Sequence, residues 1–490
     1  MRRHGTDLRD DRQAAAGAAT EAPAGRGGES SVRRKKPLEG SKVSIIGLGA
    51  SGAAAARLAL AKGGEVYVSD WKAGPAVTTR AAELRALGAR IDLGSHELER
   101  VARADTVVVS PGIPMDAPVL RTLRDRGLGW ISELEFAFRF LHGSLMAVTG
   151  TNGKTTTAAL TAHLLRESGV GVGLGGNIGA AFGPPASDLA LLDPAPEWLV
   201  VEVSSFQLAD VVTFRPTIGV LTNLAPDHLD RYASVEAYHA DKARLFKNAT
   251  PSSAWVLNGD EPEVEALAGD APGGRFRFSV AGTPGAHAFL RDGILGLSME
   301  EGEEDILLPV DGLPLLGLHN VSNALAASLA ARLAGASPDA LAHGLTTFQP
   351  LPHRLEPVGN AGGLRWVNDS KATNVAATVG ALRSLPGPLV LLLGGKDKGE
   401  DLAPLRRAIH RGVRAVVCFG EAGERLSGAL GDVVRGRVVG GSFEEAVAAA
   451  RDLAEPGDVL LLSPACSSFD MFESYEARGR RFAALAGGDA

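Results

Sequence analysis

The chain has 490 residues, of which 45% are hydrophobic and 22% are charged, and its formal net charge at pH 7 is −7. This is the composition of a globular protein too long for one core, so we expect about three domains. The acidic balance argues against a general nucleic-acid-binding protein. No apolar run reaches the ~20 residues needed to cross a bilayer, so membrane insertion is not expected. Two cysteines provide no disulfide framework, which fits a reducing cytoplasm.

The first 36 residues form a compositionally distinct segment. They contain nine Lys and Arg residues and five Asp and Glu residues, with alanine and glycine between them. No apolar stretch resembles the core of a secretory signal, and the acidic residues argue against a transit peptide. We therefore expect residues 1–38 to be a disordered basic extension, or to include sequence upstream of the true start codon.

A glycine-rich turn opens the first predicted domain, over residues 39–142. Val43–Ile46 is typical of a short buried strand. Gly47-Leu-Gly-Ala-Ser-Gly52 follows it, then an alanine-rich helix and a second strand that ends at Asp70. This βαβ unit predicts a Rossmann-like domain whose ligand lies near the glycine turn, with Asp70 placed to bond a hydroxyl group. A tight turn without a ligand is the alternative.

A second glycine-bearing loop, Gly150-Thr-Asn-Gly-Lys-Thr155, lies between an apolar strand and a predicted helix that runs to about Glu167. In a phosphate-binding loop, backbone N–H groups hold the anion, the lysine reaches the β- and γ-phosphates, and the first hydroxyl binds Mg²⁺. The usual first glycine is missing, since Val148 occupies its position. The motif still predicts a nucleoside triphosphate site in a central domain, residues 143–350. A Gly/Thr-rich turn before an ordinary helix is the alternative.

Three polar residues of the central domain stand where a metal or phosphate site is expected. Glu202 ends an apolar strand, so it could hold Mg²⁺ beside Thr155 or cap the next helix. His228 follows another strand, and a lone histidine is usually structural or exposed. Lys242 lies inside a helix predicted from about Ser234 to Lys247, where a solvated lysine is the ordinary interpretation. The strand pattern within residues 275–308 suggests a small antiparallel appendage.

A third α/β domain is predicted over residues 351–490. Two prolines in Phe348-Gln-Pro-Leu-Pro-His353 mark its start, and strands alternate with helices beyond them. Arg354 could reach back to a phosphate across an interdomain cleft, or it could form a surface salt bridge.

Two polar segments of this domain follow strands. Asn368-Asp-Ser-Lys-Ala-Thr-Asn374 carries a lysine and a threonine at a helix N-terminus, which suits a carboxylate or phosphate ligand. A helix cap made by Asp369 or Ser370 alone is the alternative. Ser463-Pro-Ala-Cys-Ser-Ser468 adds a hydroxyl cluster, and its Cys466 has no visible histidine partner for a nucleophilic role.

Taken together, these motifs resemble one family, the Mur ligases, which are ATP-dependent amide-forming enzymes of peptidoglycan synthesis. The resemblance runs from about Lys42 to Leu485. The blocks that match the family in order are Gly150-Thr-Asn-Gly-Lys-Thr155, Glu202-Val-Ser-Ser-Phe-Gln207, Asn223-Leu-Ala-Pro-Asp-His228, His319-Asn-Val-Ser-Asn323 and Pro352-His-Arg354.

Within the family, the chain is most similar to the member that adds D-glutamate. Its first domain has the Rossmann-like turn at Gly47–Gly52. Its phosphate loop has Asn152 where the L-alanine-adding member has histidine. The segments beginning at Asn368 and Ser463 resemble the C-terminal blocks of the D-glutamate-adding member.

The resemblance implies an α/β fold with a Rossmann-like N-terminal domain, a P-loop-type central ATPase domain and a Rossmann-like C-terminal domain. It implies that ATP phosphorylates UDP-N-acetylmuramoyl-L-alanine and that D-glutamate attacks the acyl phosphate. The implied ATP-site residues are Gly150, Thr151, Asn152, Gly153, Lys154, Thr155, Thr156, Asn177, Asn320, Asn323, Arg354 and Asp369. The implied catalytic residues are Lys154, Glu202, His228 and Lys242.

The resemblance also assigns the remaining ligands. Mg²⁺ would be held by Thr155, Glu202, His228 and Lys242, with Lys242 carbamylated. Ser51 and Asp70 correspond to the UDP site. The residues that correspond to the site for phosphate and D-glutamate are Lys371, Thr373, Lys398, Ser468 and Tyr475. Because ATP contacts come from two domains, the third domain is expected to swing in when nucleotide binds.

Two departures and several alternatives remain at this point. Tyr475 stands where the family pattern has phenylalanine, and Gly394-Gly-Lys-Asp-Lys398 leaves a choice between Lys396 and Lys398. Four other interpretations stay open: another Mur-type ligase, the related folylpolyglutamate synthetase, a P-loop binding module without ligase chemistry, and a nicotinamide-dependent oxidoreductase. A cytoplasmic monomer is expected.

Overall fold

A computed structural model describes residues 36–229, 231–300, 302–385, 387–409 and 412–487. Most of the predicted extension, up to Lys35, lies outside the described residues. From residue 36 the chain forms a turn, and the backbone N–H of Leu38 donates to the Lys62 carbonyl oxygen at 2.9 Å. The turn includes Pro37 and Leu38, which were expected to belong to the disordered extension. The described chain forms three α/β units, each built on its own sheet.

The first unit is a five-stranded parallel sheet in the order β3-β2-β1-β4-β5. Its strands are β1 Lys42–Ile46, β2 Glu65–Asp70, β3 Arg90–Leu93, β4 Thr106–Val109 and β5 Ile131–Ser132. Its helices are α1 Ala50–Ala61, α2 Pro75–Ala86, α3 Leu98–Ala102, α4 Pro118–Asp125 and α5 Glu133–Phe138. A Cβ atom on Gly52 would lie 1.9 Å from the Gly47 carbonyl oxygen, so only glycine fits where α1 crosses the turn. The predicted βαβ unit is therefore present.

The second unit is a nine-stranded sheet in the order β14-β13-β12-β11-β10-β9-β6-β8-β7. Its strands are β6 Ser144–Thr149, β7 Val172–Gly176, β8 Trp198–Glu202, β9 Ile218–Leu221, β10 Ala254–Asn258, β11 Gly274–Ser279, β12 Ala288–Arg291, β13 Ile294–Leu297 and β14 Asp305–Pro309. Its helices are α6 Lys154–Glu167, α7 Ala186–Leu189, α8 Ser205–Ala209, α9 Val235–Ala243, α10 Pro262–Ala268, α11 Leu318–Leu333 and α12 Pro338–Thr347.

Two expectations for this unit need correction. The segment predicted as an antiparallel appendage continues the central sheet, because β11 pairs in parallel with β10 and with β12. Within this segment only the pairs β12–β13 and β13–β14 are antiparallel. The helix that carries Lys242 is shorter than predicted, because α9 ends at Ala243 and a 3₁₀ turn, Arg244–Phe246, follows. Neither correction moves a predicted site residue away from its strand end or helix.

The third unit is a six-stranded sheet in the order β15-β16-β20-β17-β18-β19, in which only the edge strand β15 is antiparallel. Its strands are β15 Glu356–Gly359, β16 Arg365–Asn368, β17 Leu389–Gly394, β18 Val413–Phe419, β19 Gly436–Val439 and β20 Val459–Ala465. Its helices are α13 Val375–Ser384, α14 Ala403–Ala408, α15 Gly423–Leu430, α16 Phe443–Leu453 and α17 Tyr475–Ala486. Leu389–Gly394 and Val459–Ala465 are buried along their whole length, as central parallel strands should be.

Apolar clusters connect the first unit to the second, but not the second to the third, among the described residues. Leu134 and Ala137 of α5 pack into a cluster of central-unit residues, and Ala190 of the central unit packs into the core of the first. Within the part of the chain that the structure describes, no apolar cluster joins the second and third units. Among the described residues, none of the helices combines the length and apolarity required to span a bilayer.

Candidate active site

The loop between β6 and α6 is held in an open, anion-accepting conformation by the chain that leaves β9. The backbone N–H of Asn152 donates to the Asn223 side-chain oxygen at 2.8 Å, and the Thr222 hydroxyl donates to the Asn152 carbonyl at 2.7 Å. Gly153 has φ +83° and begins α6 without a side-chain cap. The first N–H groups of a 14-residue helix are thus left for a ligand.

Two asparagines of α11 support this loop from the side. A Cβ atom on Gly153 would lie 2.1 Å from the Asn323 side-chain oxygen, so the close approach requires glycine. That oxygen also accepts from the Thr157 hydroxyl at 3.3 Å, and the Asn323 amide donates to the Asn320 side-chain oxygen at 3.1 Å. Asn320 and Asn323, both predicted as ATP-site residues, are buried and brace the loop.

Two lysines meet the same carbonyl group of the phosphate loop. Lys154 Nζ donates to the Gly150 and Thr151 carbonyls at 3.1 and 2.7 Å, and Lys242 Nζ donates to the Gly150 carbonyl at 2.7 Å. Burial, helped by the charge of Lys154, lowers the pKa of Lys242 well below its ordinary value. Lys242 is 1% exposed, so the interpretation of a solvated lysine is wrong.

Glu202 lies at the end of β8 with its carboxylate facing this pair of lysines. It is buried, and its Oε2 atom has no hydrogen-bond partner. The alternative role as a helix cap is excluded, because Ser204 caps α8 in a capping box with Gln207. The neighbouring Asn177 donates its backbone N–H to the Glu202 carbonyl at 2.9 Å, and its side chain is exposed.

These residues fit a metal ion of the kind that phosphate loops hold. The chain supplies the Glu202 carboxylate and the buried Thr155 hydroxyl, and Mg²⁺ usually completes its shell with phosphate and water oxygens. Among the described residues, no group of three or more His, Cys, Asp and Glu side chains is placed to hold a metal alone. The donor set therefore suits Mg²⁺ shared with a nucleotide better than a protein-enclosed metal.

Asp227 and His228 follow β9 at the mouth of the cleft. His228 has φ +56° and packs against the Phe206 ring at 5.0 Å. Asp227 accepts from Lys398 Nζ at 3.0 Å and is buried. Burial alone would raise the pKa of Asp227, but Lys398 and its other polar neighbours hold it well below the usual range. Of the two candidate lysines, Lys398 is the one that reaches this cleft, while Lys396 is exposed.

The third unit contributes a second cluster of charged residues at the ends of β16 and β20. Burial raises the pKa of Asp369 to about 7, and its carboxylate accepts from the Ser463 hydroxyl at 2.8 Å. Burial, together with Arg354, lowers the pKa of Lys371 to about 8. Arg354 is half-buried, and burial lowers its pKa while the nearby carboxylates of Glu202 and Asp369 raise it. Among the described residues Arg354 forms no salt bridge, so the expected surface ion pair is not seen.

Tyr475 stands where the family pattern has phenylalanine, and its ring makes a contact that phenylalanine could also make. Lys371 Nζ lies 3.9 Å from the centre of that ring, a cation–π contact that either aromatic residue offers. Ser468 is buried at the start of the next turn, and the backbone N–H of Thr373 donates to the Lys371 carbonyl at 2.8 Å. The cap of α13 is Asn374, not Asp369 or Ser370.

Arg478 ties the three loops of this cluster together. It is fully buried, and its guanidinium donates to the Ser370 hydroxyl and carbonyl and to the carbonyls of Gly394, Cys466 and Ser467 at 2.9–3.3 Å. Those acceptors follow or end β16, β17 and β20, the strands whose loops carry Lys371, Lys398 and Ser468. Cys466 itself is buried and its pKa is raised to about 12, so it has no features of a nucleophile.

The N-terminal unit presents its glycine turn separately from the phosphate loop. Both carboxylate oxygens of Asp70 accept backbone N–H groups, from Leu48 at 2.6 Å and Lys72 at 2.7 Å. Asp70 therefore braces the turn, and its contact with a ligand stays a prediction. Ser51 lies in the first turn of α1, which has no side-chain cap. Arg231 of the central unit donates to the Ile113 carbonyl at 3.1 Å, which brings this crevice towards the segment that carries His228.

Three residues of the site are not singled out by the sequence patterns: Asp227, Asn374 and Arg478. Asp227 and Asn374 lie inside quoted blocks, and Asn374 could have been recognised as an N-cap directly before an apolar helix. Arg478 follows Tyr475 by three residues on α17 and gave no signal, because a helical arginine is ordinarily solvated.

Comparison with known protein families covers most of the chain. Residues 41–132 match the model of a Mur ligase MurD-like N-terminal domain, residues 148–331 match the Mur ligase middle domain, and residues 353–466 match the Mur ligase glutamate ligase domain.

Two relatives that match 91% of this chain carry the same name. The UDP-N-acetylmuramoylalanine--D-glutamate ligase of Acidobacterium capsulatum is 43% identical over 448 residues, which are 91% of this chain and 96% of that protein. The protein of the same name from Salinibacter ruber is 40% identical over 454 residues, 91% of this chain and 97% of that protein.

Solved structures agree with the fold. A pseudomurein peptide ligase type C from Methanothermus fervidus has a TM-score of 0.59 at 21% identity, covering 91% of this chain and 99% of its own. The UDP-N-acetylmuramate-alanine ligase of Thermotoga maritima has a TM-score of 0.58 at 19% identity, covering 92% and 100%. With three family domains in order and relatives at this identity, the chain belongs to the Mur ligase family.

Proposed function

We propose that this chain is the ATP-dependent ligase that joins D-glutamate to UDP-N-acetylmuramoyl-L-alanine. The observation that carries the proposal is the 43% identity, over 91% of the chain, to a protein named for this reaction. The geometry supports it, since a phosphate loop faces a cluster of cationic residues from another domain, and the reaction must bring together anionic groups from three substrates.

The proposed reaction proceeds in two stages. The terminal carboxylate of the UDP-linked substrate attacks the γ-phosphorus of ATP, so a C–O–P bond forms and ADP leaves. The neutral amine of D-glutamate then attacks the carbonyl carbon of the acyl phosphate, loses a proton, and the tetrahedral intermediate expels phosphate. Activation is needed because a carboxylate is a poor acyl donor, and the mixed anhydride divides one high barrier into two lower ones.

We assign the nucleotide to the loop from Gly150 to Thr156. Lys154 would turn from the loop carbonyls towards the γ-phosphate when the anion arrives, since the groups that accept its hydrogen bonds, the carbonyls of Gly150 and Thr151, are neutral. Arg354 would neutralise charge on the transferring phosphoryl group from the opposite wall. Asn177, Asn320 and Asn323 frame this site. Asp369 holds the backbone next to Arg354, because its carboxylate accepts from the Leu355 N–H at 3.3 Å.

Mg²⁺ is the proposed metal, held by Thr155 and Glu202, with His228 and a carbamylated Lys242 as further ligands. Bound there, it would neutralise the phosphate oxygens. The unpartnered Oε2 of Glu202 supports the assignment. The lowered pKa of Lys242 supports carbamylation, because a buried neutral amine can add CO₂, release a proton and become a carbamate anion.

D-Glutamate is placed against the third unit. Lys371, Lys398 and the hydroxyls of Thr373 and Ser468 would hold its two carboxylates, with Lys371 kept in position by the Tyr475 ring. The UDP group is placed at the glycine turn beside Ser51 and Asp70, where α1 offers uncapped N–H groups. We also propose that the protein is a monomer and that it is cytoplasmic, where ATP and a UDP-linked precursor are supplied.

The alternatives are weaker on specific grounds. A nicotinamide-dependent oxidoreductase or a simple P-loop module would leave the match over residues 353–466 unexplained. Another Mur-type ligase would share the ATP chemistry and differ in the amine, so it is the second candidate.

The deciding experiment is ATP-dependent phosphate release with UDP-N-acetylmuramoyl-L-alanine and one of four amines: D-glutamate, L-glutamate, meso-diaminopimelate or L-lysine. Release with D-glutamate alone is expected. Release with a different amine would retain the ligase chemistry and overturn the D-glutamate assignment. No release with any amine, from folded protein that binds ATP, would favour the binding-module reading.

A further inference from the structure

Two polar side chains of the third unit reach across to the central unit and meet at Asp227. Asn374 Nδ2 donates to Asp227 Oδ2 at 3.0 Å, and Lys398 Nζ donates to Asp227 Oδ1 at 3.0 Å. Both Asn374 and Asp227 are buried, at 3% and 6% exposure. Buried polar groups at a domain boundary are costly unless they are paired, so this contact is specific to the docked arrangement of the two units.

The same Asn374 amide also reaches the phosphate loop. Its Nδ2 donates to the Asn152 side-chain oxygen at 3.2 Å. The main chain of Asn152 is fixed by Asn223, which accepts from its N–H and donates to its carbonyl. The position of the third unit is therefore set directly against the loop that holds the nucleotide, with one side chain between them.

The other end of the Asn374 side chain is fixed as well. Its Oδ1 accepts from the Ala377 N–H at 2.8 Å and so caps α13. With the oxygen committed to the cap, the amide nitrogen can point only outwards, towards Asn152 and Asp227. Asn374 directly follows the Lys371–Thr373 turn, so whatever places Asn374 also places the side chains proposed to hold D-glutamate and phosphate.

We propose that Asn374 is a positioning residue. It fixes the amino-acid-binding turn, Lys371–Thr373, relative to the phosphate loop through its hydrogen bonds to Asn152 and Asp227. This inference rests on the proposed function. It names the residue whose contacts with the central unit would place the D-glutamate-binding turn when the third unit docks. It also gives a use for asparagine at position 152, where the side-chain oxygen is the acceptor for a donor from the third unit.

The competing explanation is that Asn374 serves only as a helix cap, and two variants separate the roles. Asn374→Ser and Asn374→Asp both keep a good N-cap, so α13 should remain intact. Serine is too short to carry the cap and the cross-domain contact together. Aspartate replaces the donor by an acceptor facing Asp227 and so opposes docking.

The kinetic test compares wild type, Asn152→Ala, Asn374→Ser and the double variant. The inference predicts that each single change raises the KM for D-glutamate about tenfold or more and lowers kcat. In Asn374→Ser, whose side chain lies outside the nucleotide loop, the dissociation constant for a non-hydrolysable ATP analogue should change less than about threefold. The double variant should be no worse than the poorer single variant. Effects on KM that multiply, or an Asn374→Ser enzyme with wild-type kinetics, would overturn the inference.

A scattering measurement keeps this test separate from the ligase assignment. The radius of gyration is measured with and without the ATP analogue, and melting temperatures confirm that each variant is folded. Wild type should compact and Asn374→Asp should not. Equal compaction of both, or of neither, would overturn the role of Asn374. An enzyme that compacts as expected but releases no phosphate with D-glutamate would instead contradict the proposed function.

Discussion

Arg478 makes a quantitative prediction about the third unit. Replacing it with methionine keeps much of the volume and removes five donated hydrogen bonds, to Ser370, Gly394, Cys466 and Ser467. A buried acceptor left without its donor costs about 1 kcal/mol or more, while burying one charge fewer returns part of that sum. We expect Arg478→Met to destabilise the third unit by about 3 kcal/mol, and Arg478→Lys, which keeps up to three donors, by about half as much.

Trp366 provides a local probe for this measurement. It is buried, it is the single tryptophan between residues 351 and 490, and its ring lies 5.1 Å from Phe482 on the helix that carries Arg478. In a background with the other four tryptophans replaced by phenylalanine, its emission should report unfolding of this unit alone. The midpoint should fall by about 10 °C for methionine and about 5 °C for lysine.

The kinetic consequence of the same change distinguishes positioning from simple stability. Well below the midpoint, the KM for D-glutamate should rise in Arg478→Lys, because the loops bearing Lys371, Lys398 and Ser468 lose their common anchor. The KM for the UDP-linked substrate should not change. A methionine variant that melts within about 2 °C of the parent would refute the reasoning.

Two further predictions concern buried ionisable groups. Lys242→Arg should lower kcat about 100-fold or more, because arginine forms no carbamate and puts a cation where the carbamate anion would bind the metal. ¹³C-bicarbonate labelling should give a carbamate resonance in wild type and none in the variant. Burial raises the pKa of Glu133 from 4.5 to about 7. Its folded form therefore favours the neutral acid, and its contribution to stability is present below pH 4.5 and is lost as pH rises to about 7. Urea unfolding should show Glu133→Gln gaining up to about 3 kcal/mol on wild type across that range, and a constant difference would contradict this assignment.

The sequence predicted the parts of the site that depend on one strand and the turn after it. Glu202 and the loop before Lys154 were found because an apolar strand ending in glycine or a carboxylate exposes that residue at a sheet edge. The sequence pattern does not show which strands pair with one another in the sheet. The segment around β11–β14 was placed outside the main sheet because strand periodicity shows that a strand exists but not which edge it joins.

The properties that sequence could not supply are those set by packing between distant segments. Lys242 is buried against the Gly150 carbonyl, but nothing in the sequence pattern of α9 distinguishes it from an ordinary solvated lysine. The choice between Lys396 and Lys398 needed the position of Asp227 from another domain. The contact between Lys371 and the ring of Tyr475, which tyrosine and phenylalanine both offer, is likewise set by packing and not by a sequence pattern.

The interfaces between the three units differ in composition, and this difference affects which domains can be exchanged between such enzymes by recombination. The first two share apolar clusters and buried carboxylates, including Glu133, which accepts from the Ser187 N–H at 2.6 Å. A foreign N-terminal domain would have to reproduce that packing. The third unit has no shared apolar cluster with the second among the described residues, and part of their contact is the polar set around Asp227. Chimeras that graft a different C-terminal domain should fold more readily than those that graft an N-terminal one. Recombination at this boundary would then change the incoming amino acid while leaving the phosphate loop of the central unit in place.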